Sequence, residues 1–212
     1  MCTSLASRLR MFGNSGEGPT SVGVGVGPLE VHRRPGTRCP KGEQGVDQAV
    51  YQDHDGNGRF SGSKDHERVF RPSGCEHVDP GEDRWHIDAA ARYWLTRAGH
   101  SAVIARRPKV SFCLRDSARL PSATTTAFYL ACSRNGRKGI TVGWSDLYQS
   151  FLPGQSLRLP KRVGGHTYCL WQQADPLDLF RESNETDNIS VRAIWITRHN
   201  HVRYLASNAR CT

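Results

Sequence analysis

The sequence has no long apolar run, no closely spaced pair of cysteines and no recognisable leader. No hydrophobic stretch reaches the roughly 20 residues that a membrane-spanning helix needs, so we expect no transmembrane segment. The seven cysteines never form a C-x-x-C pair, which argues against a zinc ribbon or a thioredoxin-like dithiol. Residues 1–12 contain two arginines but no apolar core after them, so no signal peptide is visible in this chain.

Lysine is also scarce, with five residues, and arginine supplies most of the net charge of +9. A basic balance favours acidic partners such as nucleic acid or anionic surfaces. The basic residues are scattered, however, and the sequence shows no helix-turn-helix, zinc finger or aromatic stacking platform. A solvated basic surface is therefore the favoured interpretation, and we expect no specific nucleic-acid partner.

The chain of 212 residues includes 21 glycines and 11 prolines, a composition that favours short strands and turns over a helical bundle. Residues 85–95 fit both a strand and a helix, and residues 33–48 have the polar composition of a long loop. We predict an all-β fold, an antiparallel β-sandwich with long loops and little helix, formed by residues 19–212 after a disordered or truncated edge at 1–18. Apolar alternation predicts strands within 19–31, 109–114, 128–132, 140–144, 167–172 and 189–197, and a last strand ending at Leu205.

Six of the seven cysteines are spread along the chain as a disulfide framework would be, once Cys2 is set aside. Six cysteines allow 15 pairings, and their spacing does not choose among them. Disulfide frameworks are typical of proteins outside the cell. We therefore expect an extracellular or secreted protein.

A short acidic stretch is similar to the first half of a calcium-binding loop. Asp53, Asp55 and Asn57 stand at alternate positions, and Gly58 follows where such loops turn sharply. The twelfth position holds Lys64 rather than glutamate, and no flanking helices are evident. Two interpretations stay open, a calcium site of reduced affinity and a simple acidic turn.

Three segments, taken together, resemble the lysyl oxidase family. Residues 109–116, KVSFCLRD, are close to the family's K-x-S-F-C-L-x-D strand. Residues 139–148, GITVGWSDLY, resemble its G-I/L-S-x-G-x-x-D-x-Y segment and are followed by LPGQ at 152–155, as in bacterial members. Residues 174–176, ADP, with 182–188, ESNETDN, are similar to its closing element. The three matches agree in order and spacing, which makes them more specific jointly than singly.

The resemblance implies a quinone cofactor made from the chain itself. In the family, a lysyl tyrosylquinone forms from one lysine and one tyrosine, and the matching positions are Lys109 and Tyr148. It also implies copper and the oxidative deamination of primary amines to aldehydes by O2, with release of H2O2 and ammonia. The implied substrates are lysines of extracellular proteins or small amines.

The copper-binding stretch departs from the family pattern. The family holds copper with an H-x-H-x-H array, because alternate residues of an extended chain point to one side. Here Glu82 and Arg84 occupy two of the three positions, and only His86 remains. Arginine stays protonated and has no lone pair to donate to a metal.

Several outcomes are open for this stretch. Glu82 could help to rebuild a copper site with neighbours such as His77, Asp79 or Asp83. Glu82 and Arg84 could instead pair with each other in an inactive protein, or a different metal could bind weakly. The leading hypothesis is a lysyl-oxidase-like amine oxidase. The alternative is a catalytically inactive extracellular β-sandwich binding module that has lost the copper site.

Overall fold

The computed structural model of the chain describes residues 4–6, 9–12, 25–34, 38–57, 59–121, 125–132, 137–148, 156–161, 163–182, 185–186, 188–199 and 201–211. These residues form strands and no α-helix, so none of them belongs to a helix long and apolar enough to cross a membrane. The strands are β1 Ser4–Ala6, β2 Leu9–Phe12, β3 Gly25–Arg34, β4 Glu43–Gln52, β5 Arg68–Asp79, β6 Arg84–Arg97, β7 Val103–Phe112, β8 Ala118–Arg119, β9 Lys138–Ile140, β10 Trp144–Tyr148, β11 Ser156–Arg158, β12 His166–Ala174, β13 Ile189–Ile196 and β14 Val202–Tyr204.

One large antiparallel sheet organises the fold. Its strands run in the order β14-β13-β12-β6-β5-β4-β3-β9, and β7 pairs with β6 beside this path. A three-stranded sheet, β2-β10-β8, and the pair β1-β11 are also formed. The predicted all-β antiparallel fold is confirmed. The domain boundary predicted at residue 19 stays a prediction, and β1 and β2 precede it.

Strand β6 has one face in the core and one face outside it. Its odd-numbered residues Ile87, Tyr93 and Leu95 are buried in the main hydrophobic core. Because side chains alternate along a strand, even-numbered residues such as His86 and Trp94 point to the opposite face. The ambiguity between strand and helix in this stretch is resolved as strand, since its residues pair with β5, β7 and β12.

The loop predicted over residues 33–48 is wrong, because the end of β3 and the first part of β4 lie within it. The sequence of β4 is polar, yet Val46 and Ala49 are fully buried and Gln48 is nearly so. The Gln48 side chain accepts the backbone N–H of Arg181 and donates to its carbonyl. These partners satisfy the buried amide and let a polar sequence form a central strand.

The strand predicted over residues 128–132 is also wrong, because a carboxylate takes the place of a neighbouring strand. Asp116 is buried, and its Oδ2 accepts the backbone N–H groups of Phe128 and Tyr129 at 2.8 and 3.0 Å. Its Oδ1 accepts the N–H of Thr141 at 2.7 Å. The turn at Thr141 also separates β9 from β10, where a single strand was predicted.

Each of the three segments with the family resemblance contributes one buried aspartate that holds a loop. Asp116 acts as just described, and Asp146 accepts the hydroxyl of Ser117 at 3.0 Å. Asp175 accepts the backbone N–H of Phe180 at 2.8 Å. Carboxylates that accept several backbone donors satisfy loops without a strand partner. The aspartates of the three segments are therefore explained by the loops that they hold in place.

A buried carboxylate network ties together the strands next to β9. Glu30 on β3 accepts the hydroxyl of Tyr51 at 2.9 Å and the guanidinium of Arg68 at 3.1 Å. It also hydrogen-bonds His32 and the hydroxyl of Tyr129. Burial by itself raises the pKa of Glu30, but the hydrogen bonds from His32, Tyr129 and Tyr51 outweigh it and lower the pKa to about 2.

We expect Glu30→Gln to remove a pH-dependent part of the stability. The pKa of Glu30 is lowered from 4.5 to about 2 in the folded protein. The ionised Glu30 therefore contributes up to about 3 kcal/mol to the free energy of unfolding. This contribution is complete at pH values above the pKa of the unfolded state and is lost as the pH falls towards the pKa of the folded state. Urea unfolding of both proteins at about pH 3 and about pH 7 measures this. The stability gap should shrink at the lower pH, and a gap of equal size would contradict the assignment.

Candidate metal centre

Two histidines lie opposite each other on β5 and β6. The register pairs His77 with His86 and Asp79 with Arg84. Directly opposite residues of an antiparallel pair share one face, so both imidazoles lie on the face away from the main core. Their ring centroids are 6.0 Å apart.

His77, Asp79 and His86 form a cluster with the geometry of a metal site. One ligand atom of each residue, a ring nitrogen or a carboxylate oxygen, lies within 4.8 Å of the other two. Asp79 Oδ2 is 3.9 Å from His86 Nδ1, and Glu82 Oε2 is 3.6 Å from His86 Nε2. Imidazole and carboxylate together suit divalent transition metals. We call His77, Asp79, Glu82 and His86 the 77–86 cluster.

The turn between β5 and β6 positions the carboxylates of this cluster. Asp79 Oδ1 accepts the backbone N–H groups of Gly81 and Glu82 at 2.8 and 3.1 Å. Its other oxygen, Oδ2, is the one near His86. Asp83, with a φ of 54°, donates its N–H to the Asp79 carbonyl and closes the turn. Asp83 therefore shapes the turn and is outside the 77–86 cluster.

The surroundings of His86 favour its neutral form. The residue is 7% exposed, and burial lowers the pKa of its imidazole against opposing effects of Asp79 and Glu82. A neutral imidazole offers a lone pair to a metal. His86 Nδ1 is buried and has no hydrogen-bond partner among the described residues. An unsatisfied buried polar atom costs about 1–3 kcal/mol, which a bound metal ion would offset.

Asp88 orients the second histidine of the cluster. Its Oδ1 lies 2.5 Å from His77 Nδ1. A carboxylate on one ring nitrogen fixes the imidazole and leaves the other nitrogen, Nε2, for a metal. Sequence reasoning missed Asp88, because its contact with His77 depends on the pairing of β5 with β6.

The pair predicted for an inactive protein is also present. Arg84 Nη1 is 3.8 Å from Glu82 Oε2, the same oxygen that lies near His86. The two side chains are 46% and 38% exposed. Exposed ion pairs contribute roughly 0–1 kcal/mol, so this one holds Glu82 only weakly.

The two residues at the family's quinone positions lie in different sheets. Lys109 belongs to β7, and the neighbouring Val110 pairs with Ala91 of β6. Tyr148 ends β10 and pairs with Leu9 of β2. Their side chains lie outside what the structure describes, so contact between them stays a prediction.

Three disulfides confirm the predicted framework. Cys75 lies on β5, two residues before His77, and its bond to Cys39 anchors that strand. Cys113 directly follows β7, the strand of Lys109. Each bond constrains the unfolded chain and stabilises by about 2–4 kcal/mol. The pairs are Cys39–Cys75, Cys113–Cys132 and Cys169–Cys211.

A second carboxylate cluster lies in the acidic stretch for which calcium binding is predicted. Oxygens of Asp53, Asp55 and Asp65 lie within 4.8 Å of one another. The side-chain oxygen of Asn57 instead accepts a backbone N–H two residues further on, at 2.7 Å. Lys64, at the position expected for glutamate, pairs with Asp55 at 3.0 Å. Asp65 lies one residue beyond the sequence pattern, which is why sequence reasoning did not include it.

The chain matches a model of a known protein family. The family model described as Lysyl oxidase matches residues 80–205, more than half of the chain. No curated protein sequence matches the chain. The matched range contains Glu82, Arg84 and His86 and all three of the similar segments. His77 and Asp79 lie just before it, so the metal-ligand candidates come from both sides of its boundary.

Proposed function

Because this chain belongs to the lysyl oxidase family, we propose that it oxidatively deaminates primary amines with a metal centre rebuilt from the 77–86 cluster. The observation that carries the proposal is the pairing of His77 with His86, with Asp79 beside them. The proposed substrates are peptidyl lysine or small amines, and the products are an aldehyde, H2O2 and ammonia. We assign the quinone positions to Lys109 and Tyr148 from the family resemblance.

The donor atoms of the cluster fit copper. His86 and His77 supply nitrogen, and Asp79 and Glu82 supply oxygen. For a given nitrogen and oxygen site, copper(II) binds most tightly among divalent first-row metals. Bound copper would supply the redox chemistry that converts the tyrosine into the quinone. The positive charge of Arg84 opposes cation binding, so we expect weaker affinity than three imidazoles would provide.

The residues around the cluster prepare it for a metal. The buried, neutral His86 needs no deprotonation before it binds, and the Asp79 oxygen that faces it is fixed by the turn. Asp88 holds the ring of His77 in one orientation. The disulfide of Cys75 restrains β5 nearby. Each of these contacts lowers the entropy lost when a metal is captured.

Copper loading in air is expected to crosslink Lys109 to Tyr148. Mass mapping of digested protein should then find one joined peptide, and an amine substrate should release peroxide. Lys109→Met should abolish both signals, because the quinone needs the lysine amine. Lys161→Met, which changes an exposed lysine outside the proposed site, is the matched control and should leave both unchanged. Fully copper-loaded protein without any crosslink would overturn the oxidase assignment.

The alternative function is an extracellular binding module without catalytic activity. The contact between Arg84 and Glu82 favours it, since the pair occupies two of the family's histidine positions. This alternative predicts that copper binds no more tightly than micromolar and does not raise the melting temperature. A tighter affinity that His86→Ala abolishes would count against it.

Two further parts of the proposal concern the location and the acidic loop. The three disulfides support a protein that works outside the reducing cytosol.

We also propose weak calcium binding by Asp53, Asp55 and Asp65, with the nearby Lys64 lowering the affinity. A rise in melting temperature with calcium, reduced by Asp65→Asn, would support this site.

A further inference from the structure

A pocket on β6 and β7 brings together three arginines. Its volume is about 280 Å³, and it opens towards solvent. The arginine side chains are exposed, while the neighbouring Tyr93 is buried. The described residues that line it are Arg92, Tyr93, Trp94, Val103, Arg106 and Arg107.

Trp94 lines this pocket and stacks on Trp171 of the neighbouring strand. The register places Trp94 of β6 between Arg106 of β7 and Trp171 of β12. The two indole rings are parallel to within 2° and their centroids are 5.7 Å apart. Trp171 Nε1 donates a hydrogen bond to Thr96 Oγ1 at 3.0 Å. The guanidinium carbon of Arg92 lies 5.3 Å from the centroid of the Trp94 ring, which is within the range of a cation–π interaction.

The positive charge of the pocket has no acidic partner in the described part of the chain. Arg92, Arg106 and Arg107 take part in none of the ion pairs formed by the described residues, which involve other arginines. Arg107 makes a long 3.4 Å contact with the carbonyl of Ser156. None of the described lining residues is acidic. The arginines that line the pocket would therefore stabilise an anion bound in it.

We propose that this pocket binds a tetrahedral oxyanion, a sulfate or phosphate group, either free or ester-linked to a longer chain. Guanidinium groups present planar pairs of N–H donors that match such oxygens. All the described basic residues that line the pocket are arginines, which are less strongly hydrated than lysine. Arg92 follows His86 by six residues on the same strand, about 20 Å at the rise of an extended chain. The pocket is therefore separate from the 77–86 cluster and does not depend on the proposed oxidase activity.

Titration of the full chain tests this site with three probes: inorganic sulfate, inorganic phosphate and a sulfated oligosaccharide. Binding should change tryptophan fluorescence saturably, because Trp94 lines the pocket and stacks on Trp171, and it should raise the melting temperature. Arg106→Gln should weaken binding about tenfold or more, as expected for losing a charge-assisted hydrogen bond. Arg71→Gln, an exposed arginine outside the pocket, removes the same charge and should leave binding unchanged.

Comparison of the three probes also shows whether the oxyanion is a free ion or part of a longer chain. Equal affinity for inorganic sulfate and the oligosaccharide would identify a site for free ions. Tighter binding of the oligosaccharide, weakened by the Arg106 variant, would identify an ester-linked ligand. A lack of saturable response to all three probes would overturn the proposal. Equal weakening by both variants would overturn it too, because it would show diffuse attraction by net charge.

Discussion

Copper affinity is expected to fall by about a hundredfold or more when His86 is replaced by alanine. Loss of a residue that only supports a metal ligand already lowers affinity by about 10–100-fold. His86 contributes a buried, neutral imidazole with an unsatisfied Nδ1 atom, and a carboxylate lies near each of its two nitrogens. Alanine removes the donor and leaves Asp79 and Glu82 with one histidine partner. Calorimetric titration of the disulfide-bonded protein measures the change.

Two further variants make this result specific. Asp88→Asn keeps the size of the side chain but removes the carboxylate that orients His77, so an intermediate loss of about 10–100-fold is expected. His100→Ala removes an exposed histidine three residues beyond the far end of β6 and should not alter affinity. Unchanged affinity in the His86 variant would place any copper elsewhere. Melting temperatures without metal show whether each variant remains folded.

Removal of one partner from the buried pair of Glu76 and Lys138 is expected to destabilise the protein by about 3–5 kcal/mol. Glu76 is fully buried and Lys138 is 4% exposed, and the two side chains form an ion pair. Gln44 donates a further hydrogen bond to Glu76 at 2.5 Å. Glu76→Leu would leave the ammonium of Lys138 buried without its counter-charge. Urea unfolding under oxidising conditions gives the free energy of unfolding.

The double variant separates the loss of the pair from the loss of packing. Glu76→Leu combined with Lys138→Met removes both charges and keeps apolar volume, so it should recover most of the lost stability. Lys138→Met alone leaves the buried Glu76 carboxylate without its counter-charge. We expect it to lower the free energy of unfolding about as much as Glu76→Leu does. A cost below about 1 kcal/mol for either single variant would mean that water or another group compensates the charge.

The fold could be predicted where apolar residues alternate and not where polar side chains replace apolar ones. The strands predicted over residues 167–172 and 189–197 are present as β12 and β13. Strand β4 was not predicted because Gln48 is polar although it is buried. Its side chain hydrogen-bonds the backbone of Arg181, which is 133 positions away. Residues 128–132 look like a strand because they are apolar, but the carboxylate of Asp116 holds them as a loop. Long-range hydrogen bonds decided both cases.

The candidate site could be predicted in part for a similar reason. His86, Glu82 and Arg84 were found because the family pattern fixes their positions, and His77 and Asp79 because they are close in sequence. Their convergence required the register of β5 and β6. The roles of distant partners, such as Lys138 for the buried Glu76, depend on strand order, which sequence spacing does not reveal.

The altered histidine array of β6 lies beside a histidine of the neighbouring strand. Strand β6 keeps His86 where the family places a ligand, and β5 offers His77 directly opposite. Asp79, at the end of β5, supplies a carboxylate near His86. We propose that His77 replaces a ligand lost from β6 and that copper binds to this cross-strand set.

Electron paramagnetic resonance of the copper-loaded protein tests that claim most directly, because hyperfine coupling counts the imidazole nitrogens bound to the metal. We expect two histidine nitrogens in the unchanged protein and one in His77→Ala. The same nitrogen count in both proteins would contradict it, because His77 would then not be a ligand.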